Sequence, residues 1–326
     1  MPSAHSPAKP RRFCIAAFAG WNDAGSAATD ALERLVDTWD SRVIAALDYE
    51  DYYDLQVMRP RMKLNGTKRE LIWPRTRILL ATAPSGRQFL IIEGIEPSTR
   101  WEQFIADLML VLGDFELDAL ITLGALLADV PHSREIPVTV SSDDPTLRTV
   151  YDLDRSQYTG PSGIVGVLDY VATERYGLPA MSLWAAVPHY VANPPSPKAE
   201  LAILRKLEEL VDEPIDVGDL EDEARAWTEG VDQLASEDED IADYVHQLEE
   251  VKDTADSPEA SGEALAREFE RYLARHENDQ GPSKPGRAPG PHRGDWPGAP
   301  GSSGPATSGG PAGPGGDAPR GPQPPA

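Results

Sequence analysis

Phe13-Cys14-Ile15-Ala16-Ala17-Phe18-Ala19 runs directly into Gly20-Trp21-Asn22-Asp23-Ala24-Gly25, after which Ala28, Leu32, Leu35 and Val36 recur at helical spacing up to Trp39. Seven apolar residues without a polar break predict a strand covered on both faces, as in a parallel sheet. The glycine-bounded break and the change of period from strand to helix then define a strand–turn–helix unit, the building block of α/β folds.

Outward from this unit the same alternation continues. Residues 42–48 read as a second strand. Residues 70–73, 77–81 and 88–93 read as three more, joined by Trp73-Pro74-Arg75 and Pro84-Ser85-Gly86, and their short connections predict one antiparallel run. A helix is expected from near Ser98, with Thr99 and Glu102 in capping-box spacing and Phe104, Ile105, Leu108 and Val111 facing the core. Residues 117–123 form a buried strand expected to end at Gly124, and 137–141 a short one. Residues 161–177 are expected to be helical with Ser162 as N-cap, and 181–187 the last strand. The fold class is therefore α/β, a mixed and mainly parallel sheet flanked by helices, over residues 13–195, with 1–12 a lead-in that lacks the apolar segment of a signal peptide.

The character changes after Asn193-Pro194-Pro195. Ser196-Pro197 predicts an N-cap and a proline at the first helical position. Leu220, Ala224, Trp227, Val231 and Leu234 continue a helical stripe, and Ser236 with Glu239 forms a capping-box spacing ahead of Ile241, Tyr244, Val245, Leu248 and Val251. Ser257-Pro258 introduces a last helical stripe of Leu265, Phe269 and Leu273. Residues 196–279 thus read as an acidic helical extension. From Gly281 onward, 13 Pro and 13 Gly fill 46 residues, so 280–326 reads as a disordered tail.

Charge follows the same division. The net charge of −24 is concentrated in residues 199–279, where 27 acidic side chains face 7 basic ones. Such a polyanion disfavours nucleic acid and anionic lipid as partners. The single Cys14 excludes an intramolecular disulfide, and no segment reaches the ~20 apolar residues of a membrane span. The cytoplasm is the expected compartment.

Four stretches carry side chains that chemistry would use. In the first turn, Trp21, Asn22, Asp23 and Gly25 stand where α/β proteins bind anions, but the turn is not GxGxxG and lacks the Lys-Ser/Thr of a phosphate loop. Gly124 to Arg134 follows the strongest strand and brings Asp129, His132, Ser133 and Arg134 to its carboxyl end, where open sheets place ligands. Ser133 lies in no nucleophile elbow, so a Ser-His-Asp reading fails, and a rim loop with Arg134 on a carboxylate explains the residues as well. Tyr158-Thr159-Gly160-Pro161-Ser162-Gly163 is a glycine-flanked turn at a helix start, suited to holding an anion or simply to capping. His189 and Tyr190 end the last strand. No pair among the six histidines has metal spacing, and no metal or cofactor is expected.

Phe18 to Gly25 followed by Ala27-Ala28, Gly124-Ala125 with Pro131-His132-Ser133-Arg134, Tyr158 to Ile164, and Val187-Pro188-His189-Tyr190 resemble, in order and spacing, the successive motifs of the proteasome assembly chaperone 2 family. The resemblance runs over about residues 13–275, and the acidic helical part resembles the family's bacterial branch. It implies a nucleoside-phosphorylase-like fold with a twisted mixed sheet, homo-oligomers and, in eukaryotic and archaeal relatives, a non-enzymatic role in proteasome assembly. Those relatives often dock through a C-terminal hydrophobic–Tyr–any-residue tail. This sequence instead ends Gln323-Pro324-Pro325-Ala326, and its nearest triplet, Arg271-Tyr272-Leu273, has a basic residue in the hydrophobic place, so docking by that route is not expected. Two functional readings stand side by side. One is an oligomeric, chaperone-like interaction protein with protein partners such as proteasome subunits. The other is a small-molecule binder or enzyme whose phosphorylase-like cleft uses Arg134 to hold an anion and His132 or His189 as acid or base.

Overall fold

The computed structural model describes residues 9–255; the helical stripe expected at 265–273 and the tail from 280 lie outside them. The first strand, β1 (Phe13–Ala19), is buried along its length and leads through the 20–25 turn into α1 (Ala27–Thr38). Then follow β2 (Asp40–Ala46), the short α2 (Tyr49–Tyr52), β3 (Arg61–Asn65), β4 (Lys68–Ile72), β5 (Arg77–Thr82), β6 (Gln88–Ile95) and α3 (Trp101–Leu112). The second half contains β7 (Ala119–Ala128), β8 (Val138–Ser141), α4 (Pro145–Tyr151), α5 (Ile164–Tyr176) and β9 (Ala180–Pro188). It closes with α6 (Pro197–Val211), α7 (Leu220–Ser236) and α8 (Glu239–Ala255).

Seven strands form one mixed sheet in the order β2-β5-β6-β1-β7-β9-β8. Its centre, β6-β1-β7-β9, is parallel, and the flanking pairs β2–β5, β5–β6 and β8–β9 are antiparallel. The apolar run of β1 divides by parity between two cores. Phe13, Ile15 and Ala17 face α1 and α6, with Ala27, Ala28 and Ala31 letting α1 approach closely. Cys14, Ala16 and Phe18 face α3 and α5. Burial on both sides explains why the strand needs no polar alternation. It also pushes the Cys14 thiol well above its usual range, leaving it inert.

Three expectations need correction. Residues 70–73 do not extend the antiparallel run: β4 pairs with β3, which the sequence reading missed, in a separate two-stranded ribbon. β7 does not end at Gly124 but continues in register with β9 to Ala128, because Gly124 lets the Trp184 ring lie against it, with ring atoms from 2.6 Å of where a Cβ would stand. The anticipated caps also differ. Arg100 and Gly163 occupy the N-cap positions of α3 and α5 without side-chain cap bonds, and the Asp238 carboxylate, not Ser236, accepts from the first turn of α8. No helix among the described residues is long and apolar enough to cross a membrane.

Helix α5 carries a carboxyl without a hydrogen-bond partner on one of its oxygens. Asp169 is half-buried, and its Oδ1 is enclosed with no hydrogen-bond partner among the described residues. Burial, reinforced by Asp143, raises its carboxyl from 3.8 to about 7. The folded chain therefore holds a proton that the unfolded chain releases. The associated stability is complete below about pH 4 and is lost as pH rises towards 7. Asp169→Asn is expected to flatten urea-unfolding free energy between about pH 4 and 7 and to gain about 2 kcal/mol at pH 8. An unchanged pH slope would show that Asp169 titrates alike in both states.

Candidate functional site

The four parallel strands end at one edge of the sheet, and α5, running opposite to them, begins there. All four sequence-predicted stretches therefore lie along this edge, yet they divide into two networks.

The first network joins the β1 turn to the start of α5. Asn22 is buried, 1 % exposed, and its Nδ2 donates to Glu96 Oε1 at 2.9 Å. The same oxygen accepts the Ile164 backbone N–H at 2.9 Å, so a carboxylate at the end of β6 caps α5 from outside the helix. The Asn22 carbonyl accepts from Ala125 N–H at 2.8 Å, tying the turn to β7. Gly163 is required by proximity: a Cβ there would stand 2.3–2.7 Å from the Asn22 amide atoms. Asp23 is a cap, its Oδ1 accepting from Ala28 N–H at 2.8 Å and Thr29 N–H at 3.3 Å, and burial raises its carboxyl. Gly25 adopts φ +61° and meets Ser196 at the start of α6, whose N–H donates to the Gly25 carbonyl at 3.0 Å. Trp21 points to solvent, 66 % exposed, and plugs nothing. Thr159, Gly160 and Ser162 are exposed, and the Tyr158 hydroxyl closes their turn onto the Pro161 carbonyl at 2.7 Å.

The second network joins the β7 and β9 ends to the acidic helices. His132 is 1 % exposed. Its backbone N–H donates to the Tyr190 hydroxyl at 2.8 Å, and that hydroxyl lies 2.7 Å from Nδ1. With the hydroxyl donating to Nδ1, the ring proton sits on Nε2, 2.9 Å from Asp232 of α7. Burial lowers the imidazole pKa against the pull of Asp232, which favours this neutral tautomer, and burial pushes the Tyr190 phenol up to about 12. Lys198 donates to the His132 carbonyl at 2.5 Å, and burial lowers the pKa of that amine. The Ser133 hydroxyl meets Glu249 of α8. Arg134 places Nε and Nη2 on the two Asp253 oxygens at 2.7 and 2.8 Å, and Nη1 on Glu249 at 3.1 Å. This fork is bidentate, and its bonds to Asp253 raise the guanidinium pKa further. His189 Nδ1 lies 3.3 Å from Asp129, which also accepts from the Tyr244 hydroxyl at 3.1 Å. The His189, Tyr190 and Tyr244 rings meet edge to face.

The chemistry of the arrangement is that of a latch. Both His132 ring nitrogens are engaged, and the fork of Arg134 is filled by the chain's own carboxylates. Sequence reading found the loop side of the latch. It missed Glu96, Asp232, Tyr244, Glu249 and Asp253. For Asp232 and Glu249 the stripes through Trp227–Val231 and Tyr244–Leu248 were the available signal, since each adjoins one of them.

Sequence and fold connect the chain to known proteins. The PAC2 family model matches residues 17–235, two-thirds of the sequence. The chain belongs to the PAC2 family. A PAC2 family protein from Streptomyces avermitilis is 47 % identical, covering 72 % of this chain and 99 % of its own at a TM-score of 0.67. A proteasome-assembly chaperone homologue from Mycobacterium tuberculosis is 40 % identical, with the same coverage and a TM-score of 0.65. An archaeal proteasome activator from Pyrococcus furiosus shares the fold at 16 % identity and TM-score 0.55, over 71 % of this chain and 96 % of its own. No curated protein sequence matches the chain. The PAC2 match includes the Asn22–Gly163 network and the latch as far as Asp232, whereas Glu249 and Asp253 lie beyond it. The α8 half of the latch is therefore outside the PAC2 region.

Proposed function

We propose that this PAC2 protein is a non-enzymatic, self-associating interaction protein of the proteasome-assembly-chaperone type, acting in the cytoplasm on proteasome subunits. The observation that carries the reading is the filled latch: Arg134, the group a phosphorylase-like cleft would use for an anion, is held by Glu249 and Asp253. The 40 % identical proteasome-assembly chaperone homologue supports the same direction. In this reading residues 13–195 provide the α/β platform, and the acidic helices after it provide the contacting element.

The test mixes the purified full-length protein with proteasome α- and β-type subunits of its own cell and follows complex formation and assembly rate by native mass spectrometry. Stable binding to a subunit or assembly intermediate is expected. Absence of binding, together with thermal stabilisation by phosphate or a nucleoside, would overturn the reading in favour of a ligand cleft.

A further inference from the structure

The β3–β4 ribbon departs from the rest of the molecule in charge and burial. Between Arg59 and Arg75 the chain carries six cations, Arg59, Arg61, Lys63, Lys68, Arg69 and Arg75, against the single acid Glu70. All six are exposed, and among the described residues none forms an ion pair. This happens in a chain where acids outnumber cations by 24, so a cation left without a partner is out of keeping with the surrounding charge. Register places Met62 opposite Leu71 and Leu64 opposite Arg69, so these four share one face of the ribbon. Met62 and Leu64 are 58 % and 67 % exposed, and Leu71 is exposed as well. At its base the ribbon is anchored by Trp73 stacked on Tyr49 at 4.4 Å. Arg61, Lys63 and Lys68 alternate to the opposite face, so the ribbon is a fixed projection with an apolar face bearing Arg69 and a basic face behind it, both exposed among the described residues.

The complementary surface is on the same polypeptide. Where α7 turns into α8, Glu229, Glu237, Glu239, Asp240 and Asp243 form no ion pair among the described residues. Leu234 and Ile241 are exposed among them. This corner is apolar and acidic where the ribbon is apolar and basic. Opposite potentials with an apolar centre are the pattern of a specific interface. Unpaired edge groups on β3 and β4 add a reason for the ribbon to be covered.

We propose that the β3–β4 ribbon of one copy docks on the α7–α8 corner of a second copy. The contact is head-to-tail, so each copy offers both halves and successive copies close into a ring if the rotation allows. The proposal names the contact behind the self-association included in the proposed function, and rests on that part of it alone.

Charge reversal tests it on the full-length chain. One variant carries Arg61→Glu, Lys63→Glu and Arg69→Glu; the other carries Glu237→Lys, Glu239→Lys and Asp240→Lys. All six positions are exposed, so folding, checked by circular dichroism, is expected to be unchanged. By sedimentation velocity the unmodified chain is expected to be oligomeric. Each variant alone is expected to associate about 100-fold more weakly, because like charges then face one another. An equimolar mixture of the two variants, and a chain carrying all six changes, are expected to reassociate. Oligomers that survive both reversals overturn the interface and leave self-association standing. A chain that stays monomeric throughout overturns both the interface and self-association, while subunit binding, read in its own assay, is judged separately.

Discussion

Glu96→Ala is expected to cost the fold about 3 kcal/mol, measured by urea unfolding. One carboxylate oxygen accepts from Asn22 and from the first backbone N–H of α5, so the change removes two charge-assisted bonds at once. It also leaves the buried Asn22 amide without its side-chain partner among the described residues, where its Oδ1 already lacks one. Asn22→Ala made with Glu96→Ala should then cost less than the two single changes summed, because the orphaned amide is gone. Gly163→Ala should cost about 1–3 kcal/mol, although its backbone angles suit alanine, since the added methyl strikes the Asn22 amide. Asn22→Ala in the same chain should recover most of that loss. A Glu96→Ala cost below about 0.5 kcal/mol would mean that α5 is capped adequately by solvent.

The second large effect is local. Arg134→Ala should release α8 while the sheet stays closed. Helix α8 buries little of its own, chiefly Val245 and Leu248, so its docking depends on the fork to Glu249 and Asp253. Removing the fork takes from Glu249 and Asp253 the guanidinium that they share. Amide hydrogen exchange over 239–255 is expected to accelerate at least tenfold, equivalent to about 1.4 kcal/mol, with β1 and β7 unaffected. Arg134→Lys should restore part of the protection, since an ammonium supplies the charge without the planar fork. Exchange in α8 that is the same in all three proteins would show that its apolar contacts hold it alone.

What the sequence made legible follows from where the physics is local. The β1 run, its glycine-bounded turn and the stripe of α1 are short-range patterns, and the structure reproduces them within a residue. The β3 strand was missed because Arg61-Met62-Lys63-Leu64-Asn65 buries nothing, and a ribbon exposed on both faces lacks the apolar bias that marks a sheet strand. Gly124 misled for the opposite reason: it looks like a strand end but serves a ring on the neighbouring strand. The loop residues His132, Ser133 and Arg134 were found because polar groups after a buried strand are conspicuous. Their partners were not, since Asp232, Glu249 and Asp253 are three among the 27 acids of residues 199–279, and only the packing of α7 and α8 selects them. Glu96 was hidden in the same way, as one more carboxylate beyond a strand whose partners lie 74 and 68 residues away.

The fork on Arg134 sets a concentration scale. Glu249 and Asp253 are tethered to the same chain, so the guanidinium sees them at an effective concentration on the order of millimolar or above. A dissolved phosphate or carboxylate at micromolar concentration competes with that tethered pair at a disadvantage of about a thousandfold, unless its own affinity makes up the difference. Occupancy of this cation is thereby decided by whether α8 is seated, and the metabolite content of the surrounding solution scarcely enters.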